Sequence, residues 1–357
     1  MKNKSDEHNF EQLATSSIHK VSLNGSKEKW LDDAMYRTIS FSPDGNYVMV
    51  SQIKKPFSYL VTYGRFPSQT DIFDKQGKLI TNLLDTPLIE ELPKGRMSTR
   101  TGKRSYSWRA DKPSNLIYVK ALDGGDPALE ANYRDEVFEI EAPFSGEGKS
   151  LVKTTNRFSG IDWGTENTAI VYDYWWDTRN RKAYVFNPSN SSSKPKVLYD
   201  RNYQDIYSDP GSFLKTRNTF NKSVLMLFKG NAYLRGAGFS KEGQFPFIDK
   251  LNITTLNKSR VYQSKYTDKV ETIQDYNPSS NELIVRIESP TEYPNYYSKK
   301  TNGKKLSKIT DFANPFEELQ NVKKEVITYK RDDGSLLCIL SNPIPCFFRG
   351  FKSRIKS

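Results

Sequence analysis

Histidine is almost missing from this chain: of 357 residues only His8 and His19 carry an imidazole. Serine hydrolysis needs a base beside the nucleophile, an orienting third group and an oxyanion hole. His8 sits in a polar leader and His19 on an expected edge strand, and no Gly-x-Ser-x-Gly elbow occurs anywhere. Triad chemistry within this chain is therefore not expected. Cysteine is equally scarce, with Cys338 and Cys346 both near the carboxyl end. Their spacing supports neither a disulfide framework nor a zinc site, and no other cluster has metal-ligand spacing. No metal and no cofactor is expected. Long apolar runs are lacking too. The most apolar stretch, residues 336–348, is broken by Ser341, Asn342, Pro343 and Pro345 and falls short of the roughly 20 residues that a span requires. The first residues, MKNKSDEHNFEQ, contain no apolar signal core. The expectation is a protein with no membrane partner, cytoplasmic as written.

Charge is abundant and unbalanced, with a formal net charge of +12. Such an excess favours anionic partners. Here the lysines are dispersed over turns and strand ends, and no basic helix, zinc-finger spacing or RNA-binding aromatic strand focuses them. A nucleic-acid partner is not expected. The excess reads as a solvated surface, or alternatively as a basic channel that draws acidic peptides.

What the chain does have is a recurring outline. In residues 100–127, RTGKRSYSWRADKPSNLIYVKALDGGDP, an aromatic strand, an Asp/Pro turn, an apolar strand and a Gly-Gly corner follow in close order. Similar outlines occur at residues 41–50 (FSPDGNYVMV), 161–172 (IDWGTENTAIVY), 220–228 (FNKSVLMLF) and 273–287 (IQDYNPSSNELIVRI). From Trp108 onward they recur every ~55 residues, in the range of propeller repeats. The pattern predicts an all-β fold, a partial β-propeller of about five four-stranded antiparallel blades. Residues 12–23 add an orphan strand before the Asn24-Gly25 turn. Its free edge, and the open blade faces, predict self-association.

Several local motifs invite a sharper reading. The corner around Gly124-Gly125 gathers Asp123, Asp126, Glu130, Asp135 and Glu136, but without the spacing of a calcium loop, so a solvated turn is expected. SGEGKS at residues 145–150 mimics the end of a phosphate loop, yet Pro143 replaces the required glycine and a strand follows, so nucleotide binding is not expected. Trp163, Tyr172, Tyr174, Trp175, Trp176 and Tyr184 read as a packing layer between twisted blades. Carboxylates are plentiful, but no pair is singled out for glycoside chemistry. In the insertion FSYLVTYGRFP, residues 57–67, Tyr59, Tyr63 and Arg65 are the candidate substrate-binding residues, because an arginine can hold a carboxylate bidentately. The competing reading packs these aromatics between blades and has Arg65 cap a loop.

Together with ALDGGDP (121–127), YLRGAGFSKEGQFPFIDKL (233–251), RIESPTEYPNYY (286–297) and ITYKRDDG (327–334), these phrases resemble the propeller of the glutamyl endopeptidase branch of the prolyl oligopeptidase family. The resemblance covers residues 11–337. Residues 1–10, being polar, read as a disordered leader; the resemblance implies a partial propeller at 11–330, and at 331–357 an aberrant tail where the family's α/β-hydrolase domain begins. It implies a non-catalytic fragment of a serine peptidase. In intact relatives the propeller would gate and bind peptides for hydrolysis after acidic residues. Alternatives are a free-standing propeller that binds peptide or protein, and a half that assembles with a separately encoded hydrolase domain.

Overall fold

The computed structural model describes residues 3–317 and 325–341. It divides into two compact units, Met1–Gly238 with Ile248–Val261, and Phe239–Phe247 with Tyr262–Ser357.

In the first unit the chain runs as successive four-stranded antiparallel meanders. Blade I comprises Tyr36–Phe41, Tyr47–Ile53, Ser68–Asp74 and Leu79–Thr86. Blade II comprises Arg104–Trp108, Leu116–Ala121, Asp135–Ile140 and Lys149–Thr154. Blade III comprises Arg157–Thr165, Thr168–Trp175, Asn180–Phe186 and Lys196–Asn202. Blade IV, whose Phe247 and Tyr262–Gln263 fall to the second unit, orders Ser212–Phe213, Asn231–Gly236, Phe247–Asn252 and Lys258–Gln263, with Leu227–Phe228 also paired to Asn231–Gly236. Its inner side continues into a small ladder between Lys215–Arg217 and Ser223–Leu225. The second unit holds blade V, formed by Val270–Asn277, Glu282–Glu288, Asn295–Lys300 and Leu306–Lys308. The all-β partial propeller of about five four-stranded antiparallel blades expected from the repeats is borne out: among the described residues four such sheets precede the one of the second unit.

The period-2 alternation explains why these strands stack as blades, because successive side chains leave a strand on opposite faces. In Thr168–Trp175, Ala169 and Val171 join Val119, Val137 and Leu151 of blade II in one apolar layer. Ile170, between them, joins Phe213, Leu225 and Leu234 of blade IV in the next. Met49 and Ile72 of blade I meet Leu116, Tyr118 and Phe144 in a third. Strands buried on both faces read as near-continuous apolar runs, as in Leu116–Val119. Polar contacts add to the stacking. The Trp108 indole donates to the Ser40 carbonyl at 3.3 Å, and Ser114 donates to Asp44 at 2.7 Å.

Three details differ from the expectation. The leader is not disordered throughout: Lys4–Ala14 is a helix. Asn3 caps it by accepting the Asp6 N–H, Asp6 and Glu7 complement the dipole, and Phe10 packs at 5.1 Å against Phe57. The orphan strand, now Ser16–Val21, is paired with Lys27–Ala34 across the Asn24-Gly25 turn. Blade IV begins at Ser212, before the outline at residues 220–228 that announced it. Glu325–Lys330 is a strand, and Leu336–Ser341 pairs with it across a turn with Gly334 at φ 82°. The rest of the proposed tail, 342–357 with Cys346, lies outside the described residues.

Candidate functional site

The sequence-expected residues lie in the loop between the second and third strands of blade I. Phe57 and Phe66 turn inward with Met35 and Ile53, while Tyr63–Arg65 forms a single 3-10 turn. Tyr59 and Tyr63 are exposed and Arg65 is half-buried. Tyr59 is engaged within the chain: its hydroxyl donates to the Glu7 carboxylate of the amino-terminal helix, which raises the phenol above its ordinary value. Lys55 pairs with Glu11 of the same helix at 2.7 Å. The insertion is thus a dock for the helix, with Tyr63 and Arg65 at the two ends of its 3-10 turn.

A concave site lies elsewhere in the first unit, against the first strand of blade III. Two cavities share its residues Ser159, Gly160, Ile161 and Asp162 as a wall, together with Lys215. The first, about 570 Å³, has Tyr106, Trp108, Phe158, Trp163 and Leu225 as its apolar lining and serines 105, 107 and 223 among its polar groups. The second, about 420 Å³, is lined by Tyr172, Arg181, Tyr199, Arg201 and the turn Asp209-Pro210-Gly211. The wall is shaped by a bulge, because the register shifts between Phe158 and Gly160 and leaves Ser159 without a partner residue. Gly211 is required where it stands: at φ +84° a Cβ would meet the Arg235 carbonyl at 2.4 Å.

An ion pair sits on the shared wall. Lys215 Nζ lies 2.6 Å from Asp162 Oδ1, and the Tyr172 hydroxyl donates to Asp162 Oδ2 at 2.9 Å. Burial, reinforced by Asp162, pushes the Tyr172 phenol far above its usual range. The lining is braced from behind. Trp163 is buried against Arg109, and Asn218 donates to the Ala110 carbonyl at 2.7 Å, tying blade II to the loop that joins 215–217 to 223–225. Asp162, already engaged by a cation and a phenol, is arranged to hold geometry. It has no free acid–base partner beside it among the described residues.

Other sequence readings resolve as packing. Asp123 and Asp135, in the acidic corner, are buried and hold Arg134, Arg157 and Arg104: Asp123 lies 2.8 Å from each of the first two, and Asp135 lies 2.6 Å from Arg104. Lys149 and Ser150 of the phosphate-loop mimic already belong to the strand Lys149–Thr154. Trp163 and Tyr184 belong to an inter-blade layer. Trp175 and Trp176 depart from it: Arg134 stacks on Trp175 at 4.1 Å, and Arg96 and Arg179 lie at 4.7 and 4.2 Å from Trp176. His19 comes within 2.9 Å of Ser17, but both are exposed neighbours on one strand, and among the described residues no carboxylate orients the ring. Sequence reasoning missed the Asp162–Lys215 wall because its members are 53 positions apart (215 − 162).

Similarity to known proteins extends over the whole chain. A protein of Oryza sativa subsp. japonica named probable glutamyl endopeptidase, chloroplastic, is 34% identical over 384 residues, covering 100% of this chain and 41% of its own length. Its namesake in Arabidopsis thaliana is 32% identical over 385 residues, covering 100% and 40%. The chain is a relative of the glutamyl endopeptidases. It spans about two fifths of the curated relatives it matches. No protein-family model matches. Among solved structures, an acylaminoacyl peptidase of Pyrococcus horikoshii aligns at 14% identity and a TM-score of 0.42, over 90% of this chain and 46% of that one. The β-propeller domain of the Trilobed protease from Pyrococcus furiosus aligns at 12% and 0.39, over 88% and 78%. The glutamyl endopeptidase resemblance drawn from the long irregular phrases therefore holds over the full sequence. Among the described residues no helix is long and apolar enough to cross a membrane.

Proposed function

We propose that this chain is the non-catalytic propeller part of a prolyl-oligopeptidase-type serine peptidase, and that it admits and holds peptides for cleavage after acidic residues by catalytic groups outside it. One observation supports this above the others. The aromatic cavity between the first strands of blades II and III has the size and mixed lining of a site for peptide side chains. Because the matched relatives extend well beyond the aligned region, a second reading is kept. The chain would assemble with a separately encoded hydrolase half, or act as a free-standing peptide-binding propeller. Tyr59, Tyr63 and Arg65 remain proposed contacts, reachable by substrate once the helix moves aside. Its location, cytoplasmic in our reading, is tested by fractionation against the chloroplast named for the relatives.

The test is fluorescence anisotropy with a panel of labelled extended peptides. Ser107 is exposed and lines the cavity, so Ser107→Trp fills it without entering the core. Wild type should bind, and the variant should bind about tenfold more weakly, a loss of about 1.4 kcal/mol. No binding by wild type would sink the peptide reading. Unchanged binding by Ser107→Trp would remove this cavity as the site.

A further inference from the structure

The face of blade III that sets Ala169 and Val171 against blade II turns polar toward one end of its strands. Asp173, Lys182 and Asp200 form one cross-strand row there, and Trp175, Asn180 and Asn202 form the next. Lying two positions apart on each strand, the rows share that face. All but the buried Asp173 line a third cavity, of about 670 Å³, with Arg134, Thr155 and Asn156 opposite.

A relay of hydrogen bonds fixes this wall. Asn156 donates to Asp173 at 3.2 Å and to the Asn180 side-chain carbonyl at 2.9 Å. Asn180 donates in turn to Asp200, which lies 3.2 Å from Lys182. Trp175 is braced by Arg134, whose guanidinium lies 4.1 Å from the ring centre and is neutralised by Asp123 at 2.8 Å. Arg201 belongs to the alternate row and directs its guanidinium to the Ser208 hydroxyl and the Asp205 carbonyl. Three donors on the cavity have no hydrogen-bond partner among the described residues: the Trp175 indole N–H, the Thr178 hydroxyl and the Asn202 side-chain amide.

We propose that this cavity is a binding site for a neutral saccharide. Its charges are paired, Lys182 with Asp200 and Arg134 with Asp123, so a phosphate or carboxylate would face Asp200 and a free cation would face Lys182. A sugar hydroxyl both donates and accepts, and it can therefore meet the Asp200 carboxylate and the unpartnered donors within one footprint. Trp175 adds an apolar surface with a polar handle, matched to the C–H face of a pyranose ring. An extended peptide is disfavoured, because the cavity lies over the face of three paired strands and offers no free strand edge. The inference is independent of the peptide-binding reading and concerns a different cavity.

Isothermal titration calorimetry of the full chain with maltose, cellobiose, lactose and chitobiose tests the assignment. At least one should bind with a dissociation constant of about 1 mM or tighter, and Trp175→Ala should weaken it at least about tenfold. Asp200→Ala, at a half-exposed side chain, gives the same comparison should the tryptophan variant misfold, and Lys196→Gln serves as the surface control. Chitobiose linked to asparagine separates the sources: a tighter linked form assigns the site to glycans carried on protein, equal affinity assigns it to free saccharides, and both support the site. If none of the four disaccharides binds, or if binding survives both substitutions, the site is overturned. The labelled peptides of the preceding test serve as competitors. Displacement of the disaccharide by peptide would merge this cavity with the peptide site and overturn the proposal. Disaccharide binding without peptide binding would support it and sink the peptide reading alone.

Discussion

The Arg109 guanidinium lies 4.2 Å from the centre of the Trp163 ring, so a cation of blade II is stacked on an aromatic of blade III. Arg109 is only 1% exposed, and its other contacts are Asp111 at 2.6 Å and Glu139 at 2.9 Å. Asn115 also donates to Glu139, at 2.8 Å. The arginine thus satisfies two acids at the end of blade II and roofs the ring that lines the larger cavity.

Replacing Arg109 by alanine strands Asp111 in a buried setting and leaves Glu139 to Lys112 at 3.3 Å and Asn115, and the expected cost is about 3–5 kcal/mol. Arg109→Lys restores a charge but neither the fork nor the flat stacking surface, so it should recover only part of the loss. Denaturant melts followed by circular dichroism read both values. A loss under about 1 kcal/mol for Arg109→Ala, the scale of an exposed pair, would show that the stack carries no structural weight.

The FSPDG turn predicts an acid dependence. Asp44 accepts from Ser42 at 2.6 Å, Asn46 at 2.7 Å and Ser114 at 2.7 Å. Burial alone would raise its carboxyl, but these hydrogen bonds outweigh it and hold the group below its ordinary value. The folded value is therefore below the unfolded one, near 3.9. The stabilisation is fully present above the unfolded value and is lost as pH falls through the folded value. Asp123, lowered by Arg157 and Arg134 against its own burial, works in the same direction. Melting temperature should drop below pH ~4, and Asp44→Asn should melt lower at pH 7 with a shallower fall on acidification. An equally steep acid limb in the variant would remove Asp44 from the cause.

In the second unit a comparable argument centres on Glu271, which is buried at 1% exposure. Its two oxygens accept from the Tyr262 hydroxyl at 2.9 and 2.7 Å, and Lys299 lies 3.2 Å away. Burial, then the adjoining carboxylate, drives the Tyr262 phenol well above its normal range. Tyr262→Phe removes one donor and leaves the ion pair, so about 1–3 kcal/mol should be lost. Lys299→Met leaves the carboxylate without its cation and should cost about 3–5 kcal/mol. The reverse order of the two losses would contradict the assignment of Lys299 as the principal partner.

The parts of the fold legible in the sequence were those with strong alternation. Ala169, Ile170 and Val171 form an apolar run that serves two inter-blade layers, and the run announces a central strand. Blade IV was harder. Ser212–Phe213 is two residues long and Lys215–Arg217 is polar, so neither offers a periodic signal. The candidate site was less legible still. Arg181 and Arg201 are separated by a strand, a Ser/Asn/Pro loop and another strand, and only the register places them opposite each other. Likewise, nothing local to Tyr59 reveals Glu7 as its partner. That pairing depends on a helix whose single aromatic, Phe10, gives little amphipathic pattern.

The same helix supplies a prediction about dynamics. Its hold on the insertion consists of Phe10 set edge-on to Phe57 and Phe66 at 5.1 and 5.9 Å, the Lys55–Glu11 pair, and the Tyr59–Glu7 hydrogen bond. The two polar contacts are exposed, and exposed pairs contribute about 0–1 kcal/mol each, so the aromatic contact dominates. An isolated helix of 11 residues is marginal in water and depends on that docking. Phe10→Ala should therefore release the helix without unfolding the blades. Amide exchange in residues 4–14 and 57–66 should accelerate at least about tenfold, while exchange in Leu116–Ala121 and Thr168–Trp175 stays unchanged. If the blade strands accelerate equally, the helix is part of the global cooperative unit, and the insertion with Tyr59, Tyr63 and Arg65 cannot open independently to meet a substrate.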